Sequence, residues 1–103
     1  MTRYLILYKA DPAAMAAMPE PTPEQIEEMN AAWNGWAERT GAGVIDFGAP
    51  TSAKSDGADP SIGGYSVLEF ETEDALNESL AAHPHRAMGG TIDVFELQPI
   101  PGM

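Results

Sequence analysis

Hydrophobic positions divide the chain into six regular segments separated by turns rich in proline and glycine. Four short apolar runs are typical of strands, and two segments repeat apolar residues every three or four positions, as an amphipathic helix does. The patterns predict strands over residues 3–8, 43–48, 64–71 and 91–100, and helices over residues 22–41 and 72–83. Three prolines favour an irregular connection over residues 10–21, and residues 49–63 have the composition of a loop.

The longer helix carries the clearest start signal in the chain. Thr22 and Gln25 form a Thr-x-x-Gln capping box, and Pro23 occupies the first helical position. The resulting order is strand, helix, strand, strand, helix, strand. With right-handed crossovers this order gives a ferredoxin-like α+β fold, in which two helices cover one face of a four-stranded antiparallel sheet. Residues 1–103 are expected to form a single domain.

The strands are apolar on both faces, although two helices can cover only one. In the strand predicted over 64–71, Tyr65 and Val67 lie on one side, and Leu68 and Phe70 lie on the other. Large contiguous apolar patches are uncommon on soluble monomers. We therefore expect a second copy of the chain to cover the free face, which makes the protein a homodimer.

Charge and cysteine content exclude several classes of partner. The chain has 16 acidic and 5 basic residues, a formal net charge of −11. Without a basic patch, binding to nucleic acid or to an anionic membrane is not expected. There are no cysteines, so disulfides, thiolate metal sites and cysteine nucleophiles are ruled out. The apolar run near residue 5 is too short for a signal peptide or a membrane span, and a cytoplasmic location is expected.

Four segments together resemble the YCII-related, or DGPF-domain, family of small dimeric α/β-barrel proteins. The segments are YLILYKAD near the start, MNAAWNGWAERTGAGVIDFGAP (29–50), GGYSVLEFETEDAL (63–76) and HPHRAMGGTIDVFEL (83–97). The resemblance implies a ferredoxin-like subunit whose sheet packs against that of a second copy, forming a barrel with a cavity. It also implies chemistry without a bound cofactor. Members studied as enzymes resemble muconolactone isomerases and dehalogenases that use a His–Asp pair, and other relatives are cofactor-free monooxygenases.

The sequence departs from the family pattern in two places. Where the family has a histidine on its first helix, this chain has Asn30, Trp33, Asn34 and Trp36. The Asp-Gly-Pro-Phe signature is replaced by SDGADP at residues 55–60. Without the helix histidine, a protein of unknown function that binds a small molecule is favoured over a defined catalyst.

Asp46 and His83 are the candidates for proton transfer. Asp46 lies mid-strand among apolar residues, where an unpaired carboxylate is costly and its pKa would rise on a cavity face. The alternative is a carboxylate that reaches solvent or pairs with an arginine. His83 ends the second helix, and the helix C-terminus and nearby carboxylates would raise its pKa. In the alternative, the His83 ring packs under the sheet and His85 is a loop residue.

Five further residues are candidates for binding a ligand. Trp33 and Trp36 lie three positions apart on one helix face, so either of them lines a cavity or both belong to the core. Tyr65 orients a ligand through its hydroxyl or packs with its ring, and Tyr8 can line the same cavity. Asp93 faces the cavity or lies at a sheet edge. No metal or other cofactor is expected, because the His-x-His pair has no third ligand at metal-site spacing.

Three functions remain open at this point. The protein binds a small aromatic or lactone-like molecule, or it is a cofactor-free isomerase-, dehalogenase- or monooxygenase-like enzyme that uses Asp46 and possibly His83, or it is a non-catalytic dimeric interaction module. A catalyst requires a cavity with Asp46 or Asp93 facing it, near a donor such as His83 or Tyr65. A binding protein requires an open and mostly apolar cavity without such a pair, and a module requires none.

Overall fold

The computed structural model describes residues 1–102 and confirms the ferredoxin-like α+β fold. Its elements are β1 (Thr2–Lys9), α1 (Pro12–Ala17), α2 (Pro23–Thr40), a 3-10 turn (Gly41–Gly43), β2 (Val44–Asp46), β3 (Ile62–Phe70), α3 (Glu73–Ala81), α4 (Pro84–Ala87) and β4 (Thr91–Glu96). The strands form an antiparallel sheet in the order β2-β3-β1-β4. In this part of the chain, no helix has the length and apolar character that crossing a membrane requires.

The start of α2 is confirmed in detail. The Gln25 backbone N–H donates to Thr22 Oγ1 over 3.2 Å, and the Thr22 N–H donates to Gln25 Oε1 over 2.9 Å. These two bonds satisfy donors that the first turn of a helix leaves without intrahelical partners. The capping box therefore fixes the residue at which α2 begins.

One expectation about the connections is wrong. The segment expected to be irregular contains α1, because the Asp11 side chain caps it by accepting from the Ala13 N–H (3.0 Å) and Pro12 occupies the first turn, where its missing N–H costs nothing. The second long helix, predicted over residues 72–83, ends at Ala81 as α3, and Pro84 begins a short further helix, α4. Proline breaks the middle of a helix and favours its first turn, so the same residue type marks opposite boundaries.

β4 is shorter than the strand predicted over 91–100. It ends at Glu96, and the N–H of Leu97 makes one more sheet bond, to the Arg3 carbonyl oxygen (2.9 Å). Pro99 has no N–H to continue the ladder.

The core lies between the helices and one face of the sheet. Trp36 crosses it, and its indole N–H donates to the Ser79 carbonyl oxygen over 3.1 Å, which joins α2 to α3. Since successive side chains of a strand alternate between faces, every second residue of β1 enters this layer. The buried hydrophobic residues are Tyr4, Ile6, Tyr8, Trp36, Leu68, Leu76 and Leu80.

The other face of the sheet, here called the open face, has no helix over it. By register it contains Leu5, Leu7, Tyr65, Val67 and Phe95. Phe95 is 53% exposed, whereas the others are half-buried. The expectation that the strands are apolar on both faces is thus confirmed.

Gly48 allows the loop after β2 to pass directly over β3. Its φ is +84°, and a Cβ at this position would lie 1.7 Å from the Tyr65 carbonyl oxygen. Gly57 has nearly the same φ, +82°, but a Cβ there would meet no atom within 4 Å. Alanine substitutions at the two positions therefore distinguish the cost of backbone strain, which both share, from the cost of steric overlap, which only Gly48 has.

We expect Gly57→Ala to lower the free energy of unfolding by about 1–2 kcal/mol, the cost of a left-handed alanine. Gly48→Ala should cost at least about 2 kcal/mol more, because backbone atoms must also move apart. Urea denaturation followed by tryptophan fluorescence measures both values. Equal losses would show that the close approach at Gly48 does not constrain the fold.

Candidate functional site

A cavity of about 660 Å³ opens between the helices and the sheet, at the end where β1 leaves the sheet. This volume lies within the usual range of small-molecule pockets. Its larger apolar lining residues are Met15, Met18, Met29, Met88, Trp33 and Phe47. Its polar lining residues include Tyr8, Asp11, Asn30, Asn34 and His85. The site is thus an open, mostly apolar cavity within a single chain.

Methionines give this cavity an adaptable wall. Met15 and Met18 come from α1 and its C-cap, and both are more than half exposed at the entrance. Methionine has flexible, polarizable side chains that fill irregular space and make favourable contacts with aromatic rings. Aromatic side chains at the cavity can pack against a ring in the same way.

The tryptophan pair is divided between the cavity and the core. Trp33 is half-buried and borders the cavity, whereas Trp36 is fully buried against α3. The two rings meet edge to face with centroids 6.4 Å apart. Of the two candidates, only Trp33 is therefore placed to contact a ligand.

Tyr8 borders the cavity with its ring, while its hydroxyl is used inside the core. The hydroxyl donates to Ser66 Oγ over 2.8 Å, and Ser66 Oγ in turn donates to the Phe47 carbonyl oxygen over 2.6 Å. Burial raises the pKa of Tyr8 to about 12, although the bond to Ser66 opposes the shift. Tyr8 is therefore a neutral, fixed part of the wall.

His83 is buried beneath the aromatic side chains rather than exposed at the cavity. It is 1% exposed, and its ring lies 4.9 Å from that of Tyr8, 4.6 Å from Trp33 and 4.4 Å from Trp36. Its Nδ1 accepts the backbone N–H of His85 over 3.0 Å, so the hydrogen of the neutral ring is on Nε2. Nε2 has no hydrogen-bond partner among residues 1–102. The ring thus caps α4 from inside the core.

The expected rise in the pKa of His83 is wrong. Burial lowers it to about 4, and the electrostatic influence of His85 and Arg86 acts in the same direction. The helix terminus and carboxylates on which the expectation depended do not outweigh desolvation. His83 is therefore neutral at physiological pH.

His85, for which the sequence left a loop position open, lies in α4 and borders the cavity. Its Nε2 lies 2.8 Å from the Lys9 carbonyl oxygen, and its ring centroid lies 5.4 Å from that of Tyr8. A Cβ on Gly90 would lie 2.2 Å from Nε2, so the ring occupies space that only glycine leaves free. The double glycine at residues 89–90 was the available signal, since it follows the histidine closely enough to pack against it.

Asp46 and Asp93 do not border the cavity. Asp46 accepts the Gly48 N–H over 2.8 Å and the Tyr65 hydroxyl over 3.1 Å. Asp93 forms an ion pair with Lys9 across 3.2 Å, and the hydrogen bond and charge of this carboxylate raise the pKa of Lys9. The candidate carboxylates are thus partnered elsewhere and separated from His83.

Tyr65 borders the cavity at the end of β3, but alternation along the strand places its phenol on the open face. There its hydroxyl donates to Asp46, and this hydrogen bond, together with the carboxylate charge, raises the pKa of Tyr65. Within the described residues, no group of three or more His, Cys, Asp or Glu side chains is arranged to hold a metal ion.

No model of a known protein family matches the chain, and no curated protein matches it. Solved structures do resemble it. The 5-chloro-2-hydroxyhydroquinone dehydrochlorinase TftG of Burkholderia phenoliruptrix AC1100, in complex with 2,5-dihydroxybenzoquinone, is 21% identical with a TM-score of 0.61, over 93% of each chain. The Arabidopsis thaliana protein At3g17210 is 15% identical with a TM-score of 0.52, over 100% of this chain and 99% of the other. At these identities the likeness shows the fold alone.

The buried His83 predicts a specific pH dependence of stability. Its ordinary pKa of 6.5 applies to the unfolded chain, which takes up a proton below that pH, whereas the folded protein takes it up only near pH 4. The stability that the neutral ring provides is therefore complete above pH 6.5 and is lost as the pH falls towards 4. The loss approaches about 3 kcal/mol.

His83→Asn tests this expectation, since the asparagine amide oxygen can replace Nδ1 as the cap acceptor and does not titrate. Urea denaturation of both proteins at several pH values between 7 and 4 gives the comparison. The wild type should lose more stability than the variant by up to about 3 kcal/mol. Parallel profiles would contradict the assignment of His83 as a buried neutral residue.

Proposed function

We propose that this chain is a YCII-like protein that binds a small aromatic or lactone-like molecule in the cavity between α2 and the sheet. The observation that carries the proposal is the cavity itself, which is open, mostly apolar and about 660 Å³ in volume. Collapsed packing between the layers, as expected for a simple interaction module, would leave no such space. The shared fold with TftG, whose structure holds 2,5-dihydroxybenzoquinone, supports the choice of a flat, six-membered-ring ligand.

The lining suits a flat, polarizable ligand. Trp33 and Tyr8 meet edge to face, with centroids 4.8 Å apart, and form a rigid aromatic corner. Methionine thioethers lie around it and can adapt to the edges of a ring. Amides from Asn30 and Asn34, one helical turn apart on α2, supply polar groups at the exposed side.

We favour ligand binding over a reaction catalysed by Asp46 and His83, because these two residues are not positioned to act together on a substrate. Asp46 is bonded to Tyr65 beyond the cavity wall, and His83 is enclosed by three rings. General acid–base catalysis requires both groups within hydrogen-bond reach of the substrate.

Ala14 and Ala13 of α1 provide a matched test of the binding site. Ala14 lines the cavity, Ala13 does not, and both are exposed. Ala14→Trp should weaken binding about tenfold by occupying ligand space, whereas Ala13→Trp should leave it nearly unchanged. A thermal-shift panel of aromatic acids, lactones and 2,5-dihydroxybenzoquinone identifies the probe, and calorimetric titration measures its dissociation constant. An absence of shifts across the panel, or equal effects of the two variants, would contradict the proposal.

We also propose that a second copy of the chain covers the open face. Its apolar residues are bordered by ion pairs that form within one chain, Arg3 with Glu69 (2.9 Å) and Lys9 with Asp93 (3.2 Å). Arg3 and Lys9 thus offset Glu69 and Asp93 at this face, where Asp46 is the further acidic residue, so the face holds little of the chain's net charge of −11. Such a face can meet its own copy with less repulsion than other surfaces.

Phe95 allows the homodimer to be tested without disturbing the core. Phe95→Lys should convert a dimer, with twice the 11.0 kDa mass of one chain, into a monomer at micromolar concentration, because it places a charge in the apolar contact. Ile26→Lys is the matched control, since Ile26 is 42% exposed on α2, away from the sheet. Sedimentation velocity reports the masses. A monomeric wild type would refute this proposal without affecting the cavity.

A further inference from the structure

We infer that His85 determines the specificity of the cavity, with its Nδ1 accepting a hydrogen bond from a hydroxyl group on an aromatic ligand. The inference rests on the proposed function, since it names the ligand class for the same cavity. It selects phenol-like molecules over apolar rings of equal size. The protonation of the His85 ring and the contacts that hold it in place both support this role.

The fold fixes which nitrogen of His85 carries the hydrogen. Nε2 lies 2.8 Å from the Lys9 carbonyl oxygen, and a carbonyl oxygen can only accept a hydrogen bond. Nε2 is therefore the donor, and Nδ1 of the neutral ring has a free lone pair. Across the described part of the chain, no donor bonds to Nδ1. Because the ring borders the cavity, Nδ1 is the acceptor that His85 has available for a ligand.

The position of the ring is fixed as firmly as its protonation. The His85 N–H donates to His83 Nδ1 over 3.0 Å, and the His85 carbonyl accepts the Gly90 N–H over 3.0 Å. Tyr8 packs against one side of the ring, and the Gly90 backbone closes another. A group held at this many points loses little freedom when a ligand binds, so its hydrogen bond is selective.

Other polar groups at the cavity are occupied or exposed to water. The Tyr8 hydroxyl donates to Ser66, and the Asp11 carboxylate caps α1 in an exposed position. Asn30 and Asn34 are exposed as well. His85 is half-buried, and an acceptor withdrawn from water discriminates more strongly between ligands with and without a donor.

The isosteric pair p-cresol and p-xylene tests the inference, because the two differ only by a hydroxyl in place of a methyl group. His85→Gln can keep an amide donor for the Lys9 carbonyl oxygen but has no acceptor at the Nδ1 position. It should weaken p-cresol binding about threefold to tenfold and change p-xylene binding by less than about twofold. Calorimetric titration of wild type and variant at about pH 8 gives the four dissociation constants.

Gly90→Ala provides a second variant that leaves His85 in the sequence. Its Cβ would overlap the imidazole and force the ring to move. The same selective loss of p-cresol affinity is expected, and near-ultraviolet circular dichroism checks that each variant is folded. Should both probes weaken equally, or neither change, in the folded variants, His85 would not determine specificity. Failure of the wild type to bind either probe, or any compound of the earlier panel, would instead overturn the proposed function and this inference with it.

Discussion

The packing of Tyr8 joins the core to the cavity, and the rest of the site depends on it. Its hydroxyl is bonded to Ser66, and its ring contacts both Trp33 and His83, so no single contact can shift without the others. One edge of this buried ring also borders the cavity. The sheet side of the cavity is therefore as rigid as the core, whereas α1 on the opposite side buries none of its residues. A ligand would meet one preformed wall and one adaptable wall.

His83 and His85, on either side of Pro84, have different roles: His83 is structural, and His85 is placed to contact a ligand. His83 satisfies the first turn of α4 from within the core, and this bond fixes the backbone of His85. The buried Nε2–H of His83 would cost about 1–3 kcal/mol if nothing compensated it. The same ring packs edge to face against Trp33, with centroids 4.6 Å apart and ring planes at 85°. Of the two histidines, His85 is therefore the one available to a ligand.

Local signals predicted the elements well, whereas the site depended on contacts that are distant in sequence. The Thr22–Gln25 box and the alternation around Tyr65 are readable from neighbouring residues, so the order of elements and the two apolar faces could be predicted. Asp46 could not be placed, because the register of β2 against β3 shifts between Val44 and Asp46. Strict alternation would put both on the helix-covered face, but the irregularity pairs Asp46 with Val67 on the open face. This single irregularity in register therefore moves Asp46 away from the face on which a role in proton transfer was expected.

The same strands contribute residues to both proposed surfaces. Along β1, Tyr8 turns towards the cavity and Leu7 towards the open face, and β3 divides in the same way at Gly64 and Tyr65. At these positions the cavity and the open face thus receive side chains from opposite faces of the sheet. Because each surface needs its own apolar residues, strands that contribute to both must be apolar on both sides. Apolar residues on both faces of the strands are thus explained by a sheet that contributes one face to the cavity and core and the other to the proposed interface.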